Sequence, residues 1–196
     1  MNITDIEKFV NQINDIKLFD YQLTILKNMI NHEYNQYKLG YLALPSGFGK
    51  TMLMLSICKN NGLSLFVIPE NMITNYKNRL TKLKIKFIEF VSFYEADNYQ
   101  SLNFLKTNVI ITTPYYFTAI KSLNLDFSRI IFDDTELDMN YENIKTDFTW
   151  VITANMKDID SNLVIRCSQD FINHVYIFTE VFNHTFVCEY TYNIQE

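Results

Sequence analysis

One stretch of the chain has the residue types and spacing to cradle a phosphate: Leu44-Pro45-Ser46-Gly47-Phe48-Gly49-Lys50-Thr51. Gly47 and Gly49 are half of the four glycines in the sequence, and without a Cβ they let backbone N–H groups approach an anion closely. Lys50 is spaced to reach the β- and γ-phosphates of a nucleotide and Thr51 to ligate Mg²⁺, while a helix opening at this point favours negative charge. The strict form of such a loop begins with Gly where this chain has Leu44. A second stretch, with Lys77, Arg79, Lys82, Lys84 and Lys86, carries no acidic residue between its cations. In a chain of net charge -5 it is either a patch that faces phosphates or a solvated helix face. The remaining reactive side chains are scattered. His32, His174 and His184 are isolated, and Cys58, Cys167 and Cys188 are odd in number with no metal-ligand spacing, so neither a zinc site nor a disulfide framework is expected. Cys58 falls on an apolar helix face and reads as core.

The elements that must position the loop follow from apolar spacing. Helices are expected over Ile3–Ile16 and Asp20–Tyr34. Short apolar runs then alternate with helical stretches: Tyr41–Leu44 and Thr51–Lys59, Ser64–Ile68 and Met72–Leu83, Lys86–Val91 and Asn98–Leu105, Val109–Thr112 and Tyr115–Ser122, then Arg129–Phe132 and Thr149–Thr153. Short runs separated by helices imply βαβ units and a mostly parallel sheet flanked by helices, an α/β fold. The phosphate loop thus sits between a strand and a helix, which is the context it needs. Beyond Met156, Val175–Thr179 and Phe186–Tyr192 are β-rich and flank Asn183-His184 in the manner of a hairpin or an edge addition.

Composition narrows the field. With 196 residues, 48% hydrophobic and 20% charged, the chain suits one compact domain with at most a small appendage. No apolar run approaches the ~20 residues of a membrane span, and the N-terminus has no basic and apolar secretory signal. A reducing, cytoplasmic or nuclear location is expected. The 14 lysines, 3 arginines and 22 asparagines reflect an AT-rich genome. The 16 Phe and 13 Tyr mostly serve core and sheet packing.

Five further segments stand in order around the loop: Leu18-Phe19-Asp20-Tyr21-Gln22 ahead of it, then Leu65-Phe66-Val67-Ile68-Pro69-Glu70-Asn71, Ile110-Ile111-Thr112-Thr113-Pro114, Ile130-Ile131-Phe132-Asp133-Asp134-Thr135-Glu136 and Trp150-Val151-Ile152-Thr153-Ala154-Asn155. Together, over about residues 18 to 155, they resemble the Q-motif and motifs I, Ia, Ib, II and III of the first RecA-like lobe of superfamily 2 helicases and translocases. That family's phosphate loop commonly reads Ala/Leu-Pro-Thr-Gly-x-Gly-Lys-Thr, which accommodates Leu44. The composition is also similar to that of large DNA viruses with AT-rich genomes, which carry many helicase-like proteins.

The resemblance implies a RecA-like P-loop NTPase lobe over residues 1–156. Residues 157–196 would be a β-rich extension, a hairpin or an inter-lobe linker remnant. It implies ATP and Mg²⁺ as ligands, DNA or RNA as partner, and no membrane. Pro45, Ser46, Gly47, Phe48, Gly49, Lys50 and Thr51 would bind nucleotide, Gln22 would select adenine, and Thr51 with Asp133 would hold Mg²⁺. Lys50, Asp133 and Asp134 would carry the chemistry, with Asp134 as candidate base where the family has glutamate. Asp is one methylene shorter, and a misplacement near 1 Å can cost on the order of 100-fold in rate. Glu136 stands where the family usually has His or Asp, and Asn155 replaces the last hydroxyl of Ser-Ala-Thr in motif III. Thr113, with Lys82, Lys84 and Lys86, would meet the nucleic-acid backbone. Family members gain arginine fingers from a second lobe, and the roughly 40 residues after Asn155 are too few for one, so a partner polypeptide or second lobe is expected. ATP hydrolysis by this lobe alone is expected to be weak or absent. The alternative is a degenerate, non-hydrolysing lobe that serves as a scaffold or binding subunit in a transcription or replication complex.

Overall fold

The computed structural model describes residues 18–34, 39–44, 46–58, 62–91, 107–135, 144–154, 175–181 and 184–188. The elements in chain order are α1 (Asp20–Tyr34), β1 (Leu39–Ala43), α2 (Lys50–Cys58), β2 (Ser64–Val67), a 3₁₀ turn (Glu70–Met72) running into α3 (Ile73–Lys82), β3 (Phe87–Phe90), β4 (Val109–Thr112), α4 (Pro114–Ile120), a second 3₁₀ turn (Lys121–Leu123), β5 (Phe127–Asp133), β6 (Thr146–Thr153), β7 (Val175–Val181) and β8 (His184–Cys188). One sheet holds all eight strands in the order β3-β4-β2-β5-β6-β1-β7-β8. Every pairing is parallel except β7 with β8. The fold is the α/β architecture that alternating strand and helix signals imply. The C-terminal strands form a hairpin that extends the sheet beyond β1, in register from Leu39 with Val175 to Ala43 with Thr179. The expected helices over Ile3–Ile16 and Asn98–Leu105 lie outside the described residues.

Both faces of the sheet are covered, which is why its strands are continuous apolar runs. Along β2, Phe66 and Ile68 join one core with Leu26 and Met29 of α1, Leu53 of α2, and Tyr76 and Leu80 of α3. Leu65 and Val67 join the other, with Phe117 and Ile120 of α4. This period-2 alternation divides a single apolar run between two layers. Gly40 lies beside Trp150 in the β1–β6 register, and a Cβ there would stand within 2.4–2.8 Å of the indole ring carbons. Trp150 itself is fully buried, so glycine is what allows its indole to lie on the strand.

The end of α1 is fastened to the sheet by polar contacts. Arg129 Nε donates to Glu33 Oε1 at 2.7 Å and its terminal nitrogen to Oε2, while Trp150 Nε1 donates to Oε1 at 2.8 Å. Buried charge is tolerated because it is paired and hydrogen-bonded on both oxygens. Burial and the Glu33 charge act against each other on Arg129, and its affinity for its proton is raised on balance. These contacts gather at the N-terminal edge of the sheet and leave the opposite edge for the loops.

Candidate functional site

Parallel pairing sends the C-terminal ends of β1, β2, β4, β5 and β6 to one edge, where Leu44, Pro69, Thr113, Asp133 and Thr153 emerge. The register holds them level: Ala43 pairs with Thr153 and Asp133 with Ile152, and Leu44 N–H donates to Thr153 O at 3.1 Å. The carboxyl edge of such a sheet is where α/β proteins bind ligands.

In the loop, Gly47 and Gly49 adopt φ of +89° and +80°, values that glycine alone adopts freely. The space a Cβ would take at Gly47 is open, whereas at Gly49 it would run into the Gln22 amide. Lys50 opens α2 and is 8% exposed, with Nζ donating to Leu44 O at 3.1 Å. The ammonium therefore closes the loop on itself. Ser46 is exposed, and Pro45 lies outside the described residues.

The start of α1 grips this loop from the side. Gln22 Oε1 accepts the Phe19 N–H at 3.0 Å, as the third helical residue does in a capping box. Its Nε2 donates to Phe48 O at 3.1 Å, and the Tyr21 hydroxyl donates to the same carbonyl at 3.3 Å. Half of the amide's hydrogen-bonding capacity is thus engaged in holding the loop. Phe19, 69% exposed, stacks on Tyr21 with ring centroids 5.9 Å apart.

Asp133 ends β5 and is 3% exposed. Its Oδ2 accepts a short hydrogen bond from the Tyr76 hydroxyl, and Oδ1 has no hydrogen-bond partner among the described residues. Burial pushes its carboxyl up to about 6, and the Asp134 charge acts the same way. The Tyr76 hydrogen bond and the Lys50 charge pull it down. Lys50 and Asp133 thus stand at the same edge of the sheet, one opening α2 and the other ending β5. A buried carboxylate oxygen without a proton donor is suited to a hard cation, so the residues present fit Mg²⁺.

Asp134 is placed differently. Its backbone is left-handed, φ +49°, its N–H donates to Ile152 O at 2.9 Å, and its exposed side chain accepts the Ala154 N–H through Oδ1 at 3.1 Å. Thr135 Oγ1 donates to Val67 O at 3.3 Å. The acidic segment is thereby tied to the ends of both β2 and β6. Glu136 and Asn155 lie outside the described residues.

The model of the type III restriction enzyme res subunit family matches residues 15–154, a span that takes in the loop, the Asp133 carboxylate and the strands that deliver them. This chain belongs to that family. Its fold is also similar to the crystal structure of the Pyrococcus furiosus Hef helicase domain, with a TM-score of 0.57 at 15% identity, over 84% of this chain and 38% of that one. The RecA-like helicase-lobe fold is thereby established for this res-subunit relative, which spans well under half of that helicase chain. No curated protein matches it in sequence. Among its described residues no helix is long and apolar enough to cross a membrane, and no group of three or more His, Cys, Asp and Glu side chains is placed to hold a metal ion by itself.

The expected backbone-contacting residues lie apart in the fold, Thr113 at the carboxyl edge and Lys82, Lys84 and Lys86 away from it. Helix α3 starts at the carboxyl edge and runs ten residues away from it, about 15 Å at 1.5 Å per residue. The three lysines are therefore exposed at the opposite edge, where Lys86 O accepts the N–H groups of Asn108 and Val109 at the start of β4. Lys77 is ion-paired with Glu89, and Arg79 Nε donates to Asn75 Oδ1 at 3.0 Å. Two residues of the site escape sequence reasoning altogether. Tyr76 sits on the Ile73, Tyr76, Leu80 stripe, whose spacing signals only core. Tyr21 carries no signal beyond its adjacency to Gln22.

Proposed function

We propose that the chain is a helicase-like lobe that binds Mg·ATP in loop 44–51 and contacts a DNA or RNA strand at its carboxyl edge. ATP would be turned over when a second RecA-like lobe or a partner completes the site. The observation that supports this best is a loop with left-handed Gly47 and Gly49 that opens a helix on Lys50, at the same sheet edge as the buried Asp133 carboxylate with its unpartnered Oδ1. Lys50 would exchange the Leu44 carbonyl for phosphate oxygens, at little rearrangement because both are acceptors. Thr51 and Asp133 would hold Mg²⁺, which when bound offsets phosphate charge. Gln22 retains one N–H and one lone pair for the adenine edge, and the exposed ring of Phe19 offers a flat apolar surface next to it. Thr113 and the turn after Pro69 are the parts of the carboxyl edge offered to a nucleic-acid backbone.

One observation favours the scaffold reading. The Asp134 carboxylate, in the place of the general base, holds the Ala154 N–H. Of the three arginines, Arg129 is committed to Glu33 at the far edge and Arg79 to Asn75, while Arg166 lies outside the described residues. Titration calorimetry with a non-hydrolysable Mg·ATP analogue tests the nucleotide reading. Lys50→Ala should weaken binding by about 1.5–3 kcal/mol, the range for hydrogen bonds to charged groups. Equal affinity in the two proteins would sink the assignment. Turnover measured with and without single-stranded DNA or RNA then separates motor from scaffold.

A further inference from the structure

We propose that Tyr76 is a positioning residue for the metal: its phenol holds the Asp133 carboxylate in the orientation that Mg²⁺ requires. The proposal rests on the reading that loop 44–51 takes Mg·nucleotide. Tyr76 belongs to α3, outside every segment that resembles a nucleotide motif. Its ring is fully buried and packs on Phe66 with centroids 5.4 Å apart. Packing alone would be served equally by phenylalanine. The hydroxyl instead reaches Asp133, 57 residues along the chain.

A phenol has a single hydrogen, and a carboxylate accepts it, so the Tyr76 hydrogen goes to Asp133 Oδ2. Asp133 is capped on Oδ2 only, and the oxygen left without a partner is Oδ1. Oδ1 thus keeps its lone pairs for a cation. An oxygen that stays unpaired in a buried place costs stability unless a ligand uses it. Metal ligands are commonly oriented by such outer partners, whose loss typically weakens metal affinity ten- to hundred-fold.

The test uses the whole 196-residue chain and Tyr76→Phe, which keeps the ring and removes the hydroxyl. Mn²⁺ binding to the protein–ADP complex is followed by electron paramagnetic resonance of free Mn²⁺, and ADP binding is measured separately in EDTA. The expected result is Mn²⁺ affinity ten- to hundred-fold weaker in the variant, with metal-free ADP affinity unchanged. Equal Mn²⁺ affinity overturns the proposal, because the hydroxyl would then only satisfy itself. Tighter Mn²⁺ binding overturns it as well, since Tyr76 would be competing for the ligands. Equal weakening with and without metal, or a variant that does not fold, moves the decision to a second measurement on wild type alone. The slowly exchanging Tyr76 hydroxyl proton, observed by NMR, should persist and shift when Mg·ADP is added, and its disappearance overturns the proposal. If wild type binds ADP under neither condition, the nucleotide reading itself fails and takes this one with it. That pattern is distinct because wild type and variant then behave alike in both arms.

Discussion

At Asp134 the backbone is left-handed, φ +49°, and the side chain supplies the acceptor for Ala154 N–H. Asp and Asn tolerate this conformation better than other residues with a Cβ because their short polar groups bond locally. The two requirements can be separated by substitution. Asp134→Asn should leave stability within about 0.5 kcal/mol of wild type, since the amide oxygen still accepts and the backbone is still tolerated. Asp134→Ala should cost about 1–2 kcal/mol, combining the missing hydrogen bond with left-handed strain. Urea unfolding of the two variants checks this, and equal costs would show that the Ala154 hydrogen bond contributes nothing. The same geometry bears on chemistry: a carboxylate that clips two strand ends together is not free to orient a water, so a glutamate at this position would have to break the clip.

Among the elements, α1 does the most varied work: its start caps the phosphate loop and its end is held by the sheet. His32 lies near that end, 4% exposed, between the rings of Phe148 and Trp150, with Nε2 at 3.4 Å from Leu39 O. The charges next to it, Glu33 and Arg129, are paired with each other. Desolvation lowers its pKa to about 4 against the Leu39 hydrogen bond, which raises it. The folded chain therefore resists a proton that the unfolded chain accepts near 6.5. Stability from this group is fully present above about pH 6.5 and is lost as pH falls toward 4. The loss should reach about 2 kcal/mol by pH 5. Asp133, whose carboxyl is raised, acts with the opposite sign, so the comparison is made against His32→Gln, in which every other group is retained. Wild type should lose about 2 kcal/mol more than the variant between pH 7.5 and pH 5, read from urea midpoints. Parallel pH profiles would remove His32 as the cause.

For the whole molecule the decisive fact is that a parallel sheet has two unlike edges. One gathers the phosphate loop, Pro69, Thr113, Asp133 and Thr153. The other gathers the Glu33–Arg129 pair and the exposed Lys82, Lys84 and Lys86. If a nucleic-acid strand crosses the carboxyl edge, replacing these three lysines by Glu should leave the salt dependence of single-stranded DNA binding unchanged, because the slope falls by about 0.7 only for each lysine that neutralises a phosphate. Fluorescence anisotropy from 50 to 300 mM salt would measure it. A slope lower by about 2 would instead place the strand on the lysine edge and detach it from Thr113.

The sequence alone determined the local chemistry and the order of elements. A loop of Gly47, Gly49, Lys50 and Thr51 between an apolar run and a helix has the residue types and spacing of a phosphate cradle. Strands β2, β4 and β5 announce a parallel sheet because burial on both faces requires unbroken apolar residues. Helix α1 was legible to its boundaries, and the C-terminal β-rich segments were legible as a hairpin or an edge addition. Distance was not. Lys82, Lys84, Lys86 and Thr113 looked like one basic surface because each borders the same βαβ unit, yet a helix of ten residues carries its end to the far edge. Tyr76 looked like core because its spacing is that of core, and its ring does pack there. Only the tertiary structure could bring its hydroxyl to Asp133. A hydrogen-bond partner 57 residues away in sequence is chosen by how α3 lies on the sheet, and no local pattern of residues encodes that.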